Sequence, residues 1–370
     1  MNTELRVARG YVTLLRLFDI AYAVNLAAAE ARAIETEPAA RARLRRPKEK
    51  ALAYGEPPLE IRLGVVDLAA LGIAVEAGLT ARLHAFGVLT FVVRVPVANM
   101  PWPEYTAFAA TLETSLLGPH AAAWWENRVS RIETLLAGAL ERPLRSGVEE
   151  EYMVLSVEQF NGPLTAAALE ARIDVAALLA GEQGPFAPEQ RAALLRHRLS
   201  YFETDLIALG YDRAFVYDPE GDGDAVAILE VANAQLLELR YYNARLDTEI
   251  PRMYDRMQAA RARFGALARR RYADLARSLQ EEAAEVTEIT ARADNALVVT
   301  EDVYLAHLYA SALALFRVDV WADGVRTKLA LVRDAYQALY DEAATARAEY
   351  LEITIIALIL FEIVWTLVQH

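Results

Sequence analysis

Between residues 59 and 97 the chain reads "LEIRLGVV" (59–66), then "LTARLHAF" and "VLTFVVRVPV" (79–97), and the fold turns on how these runs are taken. In the first, Leu59, Ile61, Leu63 and Val65 fall on one face, with Glu60 and Arg62 on the other. That period of two sets one side of a strand against a core. The next two runs are rich in Val, Phe and Thr and read as two more strands, with Gly87 as a bulge or break. Working outward, "YVTLLRLFDIAYAV" (11–24) reads as a strand. One helix is expected after Pro103 and another around Trp124 and Trp125. "SYFETDLIALGYDRAFVYD" (200–218) reads as a hairpin turning at Gly210, Tyr211 and Asp212. Strands separated by helices predict an α+β N-terminal head, residues 1–220, with one sheet face covered.

Composition narrows the function classes. Of 370 residues, 55% are hydrophobic and 24% charged, a globular balance. The formal net charge of -13 suits a general nucleic-acid binder poorly, because counterion release needs clustered Lys and Arg. No specific nucleic-acid partner is therefore expected. The absence of cysteine excludes disulfides, thiolate metal sites and cysteine nucleophiles. The histidines His84, His120, His197, His307 and His370 are scattered, with no HExxH spacing. No phosphate-binding loop or GxSxG elbow occurs. Neither a cofactor nor catalytic activity is expected.

Three stretches carry candidate site residues. "RARLRRPKEK" (41–50) gathers Arg41, Arg43, Arg45, Arg46, Lys48 and Lys50. It reads as a solvated loop, or as a contact for an anionic partner such as lipid or RNA. "DPEGDGD" (218–224) alternates acids like a calcium loop, but its twelfth position is Leu229, so it reads as an acidic turn capping the next helix. In "ANAQLLELRYYNARLD" (232–247), Asn233, Arg240 and Asp247 recur at steps of seven, with Gln235 and Glu238 on adjoining faces. Buried polar groups need partners, so this ladder predicts a structural hydrogen-bond network; a ligand cluster on Glu238 and Arg240 is the alternative.

From about residue 224 the chain reads as helix, with breaks at Pro251 and at 291–302. A heptad seam runs from Val325 through Leu329, Val332 and Tyr336 to Leu367. Met257, Ala260, Phe264 and Leu267 begin a similar stripe. Together they predict a long antiparallel helical stalk over 221–349, a coiled coil, ending in an apolar C-terminal helix at 350–370.

The 200–218 and 232–247 runs, with the closing "LEITIIALILFEIV" carrying Leu351, Glu352 and Glu362, resemble the required-for-meiotic-nuclear-division family, defined by a domain of unknown function. The likeness covers roughly 195–368. It implies a membrane-attached protein that assembles into large homo-oligomers; eukaryotic relatives support mitochondrial translation at the inner membrane. An Ala- and Arg-rich chain without a transit peptide points to a bacterial member.

The tail gives the functional expectation. A span of 350–370 would place Glu352 and Glu362 as membrane-segment acids, at a cost on the order of 2.5–3.5 kcal/mol for a central one. The expected protein is a self-associating scaffold with an unknown protein partner. It is anchored in a bacterial inner membrane, its head on the cytoplasmic side. The alternatives are a soluble homo-oligomer with the tail as its buried core, and an oligomeric ion-conducting channel.

Overall fold

The computed structural model describes residues 4–42, 52–54, 56–182, 184–221, 223–261, 297–299 and 303–368, with isolated positions between 262 and 296. The chain divides into two compact units, Met1–Tyr241 with Ile289–Trp321, and Tyr242–Glu288 with Ala322–His370.

The first unit is built on a nine-stranded mixed sheet in the order β10-β11-β12-β9-β1-β7-β6-β5-β3. Its centre is three long strands, β1 (Arg6–Asp19), β7 (Val88–Pro101) and β9 (Glu149–Phe160). On one side lie β6 (Glu76–Leu83), β5 (Leu59–Asp67) and β3 (Ala39–Arg41); on the other are β12 (Arg213–Tyr217), β11 (Leu206–Leu209) and β10 (Arg198–Leu199). Neighbours pair antiparallel except β12 with β9, which run parallel. Two short pairs stand apart, β2 (Ala21–Val24) with β8 (Leu140–Pro143), and β4 (Leu52–Tyr54) with β13 (Leu297–Val299).

Alternation decides what each face meets. One face carries Val12, Leu14, Phe91, Val93, Met153 and Leu155, buried in one core with Tyr105 and Leu112 of α2 (Trp102–Leu117) and Trp125 and Ile132 of α3 (Ala122–Leu135). The Phe91 and Trp125 rings are 5.8 Å apart, a tilted contact. The second face buries Leu15, Leu17, Tyr152 and Val154. Over it lies the start of α7 (Asp224–Arg261), whose Ile228, Leu229, Val231, Ala232, Leu236, Leu237 and Leu239 are all buried. Both faces are therefore covered at least in part, where one was expected.

Gly87 is the corner of a hairpin and not a bulge. Its N–H bonds the His84 carbonyl at 3.1 Å, and its φ of 96° is open to glycine at little cost. The expected strand at 11–24 ends at Asp19, and the chain then turns into β2. The hairpin near residue 210 forms as read, from β11 and β12.

The architecture of a small head on a long antiparallel stalk with an apolar terminal helix is overturned. The sheet dominates, and its unit runs past residue 220 to Tyr241, then takes in Ile289–Trp321 with helix α8 (Val303–Leu315). Pro251 causes no break, because it lies inside α7. The second unit contains the rest of α7 and most of α9 (Val318–Val368). There a Cβ on Gly324 would sit 3.1 Å from Asn243, while Lys328 Nζ reaches Asp247 at 2.5 Å. The contacts advance together along both helices, so these segments run parallel, not antiparallel. Phe264 and Leu267 of the second stripe lie outside the described residues.

The membrane reading falls too. Among the described residues no helix is long and apolar enough to cross a membrane. Only nine residues separate Glu352 from Glu362, about 14 Å of helix against about 30 Å of hydrocarbon. A transmembrane anchor and an inner-membrane location are not supported.

Candidate functional site

α7 covers only part of the second sheet face. Beside its first turn, Asp224–Ala227, the sheet is left open, and a groove of about 980 Å3 lies over it. Register fixes the floor. Thr80 pairs with Val92, Gly78 with Arg94, Thr13 with Arg94 and Tyr11 with Ser156, so these residues project to one side. Ala225, Val226 and Ala227 of α7 line one wall, and Ala39 to Ala42 line another. Gly78, lacking a side chain, leaves room beside Arg94.

Four arginines face this groove, and two are held tightly. Arg41 bonds Glu30 at 2.9 Å and the Pro57 carbonyl at 3.0 Å. Arg82 bonds Glu60 at 3.0 Å and pairs with Glu230 of α7. The other two are more open. The Arg94 guanidinium lies 3.5 Å over the Tyr11 ring, with Glu158 4.0 Å away. Glu158 is also paired with Arg9. The Arg62 side chain is 71% exposed, with its Nε 3.2 Å from Glu60.

Beside the groove is a buried charge cluster. Glu230 is 1% exposed and His84 3%. The Glu230 carboxylate meets Arg82 through one oxygen and His84 Nε2, at 3.3 Å, through the other. Burial alone would raise its pKa, but the Arg82 charge, with His84, outweighs burial and holds it below the usual carboxylate value. His84 stacks on Phe86, ring centres 5.1 Å apart. This cluster ties α7 to β6, while Arg240 ties it to Glu150 on β9. The helix thereby spans β7 and β1 between them.

The residues of the polar ladder reach several different partners. Asn233 is buried and donates back to the Leu229 carbonyl at 2.8 Å. Gln235 accepts from the Tyr309 hydroxyl of α8. Glu238 is buried. Arg240 pairs with the sheet, and Asp247 pairs with Lys328 in the second unit. Helix periodicity places these groups on related faces, but their surroundings change along α7. Glu352 and Glu362 are both exposed on α9. Of the basic run, Arg41 ends β3, while Arg43, Arg45, Arg46, Lys48 and Lys50 lie outside the described residues.

Sequence reasoning missed Arg62, Arg82, Arg94 and Glu230. The available signal was the row Thr80, Arg82, His84, polar at every second place along β6 and one residue beyond it. An all-polar strand face next to buried strands needs a partner or a ligand. Among the described residues no group of three His, Asp or Glu side chains could hold a metal.

The family described as "Uncharacterized protein MJ0711, N-terminal domain" matches residues 9–224. The chain belongs to this family. The Uncharacterized protein MJ0711 of Methanocaldococcus jannaschii (strain ATCC 43067 / DSM 2661 / JAL-1 / JCM 10045 / NBRC 100440) is 28% identical over 177 residues, 48% of this chain. The aligned part spans about half of that relative, 53% of its length. No solved structure matches. The MJ0711 family domain thus contains the groove floor and ends where α7 begins. The expectation of a domain of unknown function stands at that level. Neither match supports the meiotic-division naming or a bacterial origin, since the relative is archaeal.

Proposed function

We propose that this chain is a non-catalytic assembly protein that associates with copies of itself through the end of α9, with its family domain engaging a further protein. One observation carries the reading. Ile355, Ile356, Leu358, Ile359, Leu360, Phe361, Ile363, Val364 and Trp365 are each between 50% and 65% exposed. A helix that is apolar all round belongs inside something.

The magnitude supports association. Fully burying such a side chain contributes about 1.5–3 kcal/mol, so nine half-covered ones offer on the order of 10 kcal/mol per chain. That gain, reached when several copies cover the whole helix, is set against the roughly 4–15 kcal/mol that association costs. These positions surround the helix, and one partner helix covers a single stripe, so more than two copies are expected to meet. The resemblance of 195–368 to the required-for-meiotic-nuclear-division family, whose members form homo-oligomers, favours the same reading.

Light scattering after size exclusion tests it. The full chain is expected to elute at a multiple of 41.0 kDa, and a chain stopped after Glu349 at a smaller mass. A full chain at monomer mass would sink the proposal.

A further inference from the structure

Away from the groove, the loop between β10 and β11 exposes two aromatic rings. Tyr201 and Phe202 are each more than half exposed, and their rings meet edge to face at 4.7 Å. Tyr201 also lies 5.3 Å from the ring of Tyr304 in α8. The loop is held from both sides. The N–H groups of Tyr201 and Phe202 donate to the Asp205 carboxylate at 2.7 and 2.9 Å, and the Glu203 carbonyl accepts from the Ala166 N–H at 2.7 Å. Two large rings are therefore fixed at the surface in advance, which leaves little freedom to lose on docking. We propose that this loop receives Phe361 and Trp365, near the end of α9, from a second copy of the chain. The inference rests on self-association through α9 and names the surface that α9 meets.

Beside the loop, at Ser200, opens a pocket of about 310 Å3 with Leu195, Leu199 and Leu206 in its lining. That is the lower end of binding-pocket volumes and suits one large side chain. The occupant has the matching form. Phe361 and Trp365, one turn apart, stack with ring centres 6.0 Å apart, and both are more than half exposed. Aromatic side chains seated in a pocket are the usual anchors of an interface. The charged residues of the lining are Arg196, Arg198 and Glu170, the last paired with Arg198, while the acid next to Phe361 is Glu362. An acid is thus brought to a lining with one more cation than anion. If the ends of α9 met only one another, Tyr201 and Phe202 would stay uncovered; docking covers both apolar surfaces at once. Each copy then gives one helix end and receives another. Such a head-to-tail contact closes into a ring or runs on as a chain, in keeping with more than two copies.

The chain has no cysteine, so single introduced thiols can report the contact. A full chain carrying Ser200→Cys is co-expressed with a larger-tagged full chain carrying Leu358→Cys, three residues before Phe361 on the same helix face, and a flexible bis-maleimide is added. A cross-link between the two different chains is expected. Cross-links only between two Leu358→Cys copies would mean that the helix ends bundle together, and that result overturns the proposal, as does no cross-link. The second measurement is light scattering over a dilution series of the full chain with Tyr201→Asp and Phe202→Asp combined, its fold checked by circular dichroism. Its assembly is expected to weaken about thirtyfold or more, the loss of one anchoring contact. Tyr211→Asp, an exposed aromatic on the β11–β12 turn, should keep the parent mass. The two readings fail separately. A mass that falls on stopping the chain after Glu349 but survives the double substitution leaves self-association through α9 standing and overturns the docking site; a full chain at monomer mass sinks both.

Discussion

The two units of this chain solve the problem of burial differently. In the sheet unit, apolar residues from Leu5 to Val318 are buried, on both faces of one large sheet. In the helical unit the buried apolar positions include Leu246, Met253, Met257, Val325, Val332 and Ala335, while nine large apolar residues between Ile355 and Trp365 of α9 stay exposed. The first satisfies its own hydrophobic demand. The second carries a surplus, and a surplus of that size is a demand for partners. The contrast teaches that the sheet unit should be broken from inside, by single buried groups, whereas single polar changes in the helical unit should matter little.

The largest single effect is expected at Glu230. Replacing it with Ala removes the buried carboxylate that both Arg82 and His84 meet, and breaking such a buried pair typically costs about 3–5 kcal/mol. Urea unfolding followed by circular dichroism would measure this. A loss under 1 kcal/mol, on the order of a surface ion pair, would mean that water reaches the cluster. The same residue sets a pH dependence. Its folded carboxyl titrates below the ordinary value of 4.5. The stability it contributes is therefore complete above that value and lost as pH falls through the lowered one. Glu230→Gln should flatten the acid limb of a stability–pH curve; an unchanged limb would assign the titration to other carboxylates.

Next comes Gly87. A Cβ there would lie 1.8 Å from the Ala21 carbonyl oxygen, and φ is 96°. Gly87→Ala forces backbone movement at the corner joining β6 and β7, with an expected loss of about 1–3 kcal/mol. The midpoint of thermal unfolding would show it. Gly72→Ala, also at positive φ but with open space around the site, is the comparison, and should cost less. Equal losses would mean that φ alone, and not the close approach of Ala21, makes glycine necessary.

How much of this was legible follows from the range of the forces involved. Alternation and turn chemistry are local, so β5, β6, β7 and the 206–217 hairpin could be read from their own residues. The nine-strand order could not, because β1 pairs with β7 and β9 through contacts from Asp19 with Val88 to Val7 with Phe160, far apart in the chain. The heptad seam was visible, but a seam says only that a helix has a partner side. It does not give direction, and the parallel course of α7 and α9 appears only where Asn243 meets Gly324 and Asp247 meets Lys328. For the site, the polar ladder drew attention to Asn233, Arg240 and Asp247 because they share a helical period. The groove arginines come from four strands, β3, β5, β6 and β7. No spacing along one chain segment encodes that.

The smallest effect closes the comparison. Asp247 and Lys328 are the helical unit's counterpart of Glu230 and Arg82: an acid and a base joining two elements. Yet the Asp247 side chain is 60% exposed where that of Glu230 is 2%. Water screens the first pair and is excluded from the second. Asp247→Ala should therefore cost about 0.2–1 kcal/mol, and less still at high salt. Lys328 keeps its bond to Asn243 Oδ1 at 2.8 Å, so its ammonium is not stranded when the carboxylate goes. A double-mutant cycle with Lys328→Ala would isolate the pair. A coupling above about 2 kcal/mol would mean the pair is dry in the assembled protein, moving it from an exposed contact to part of what self-association covers.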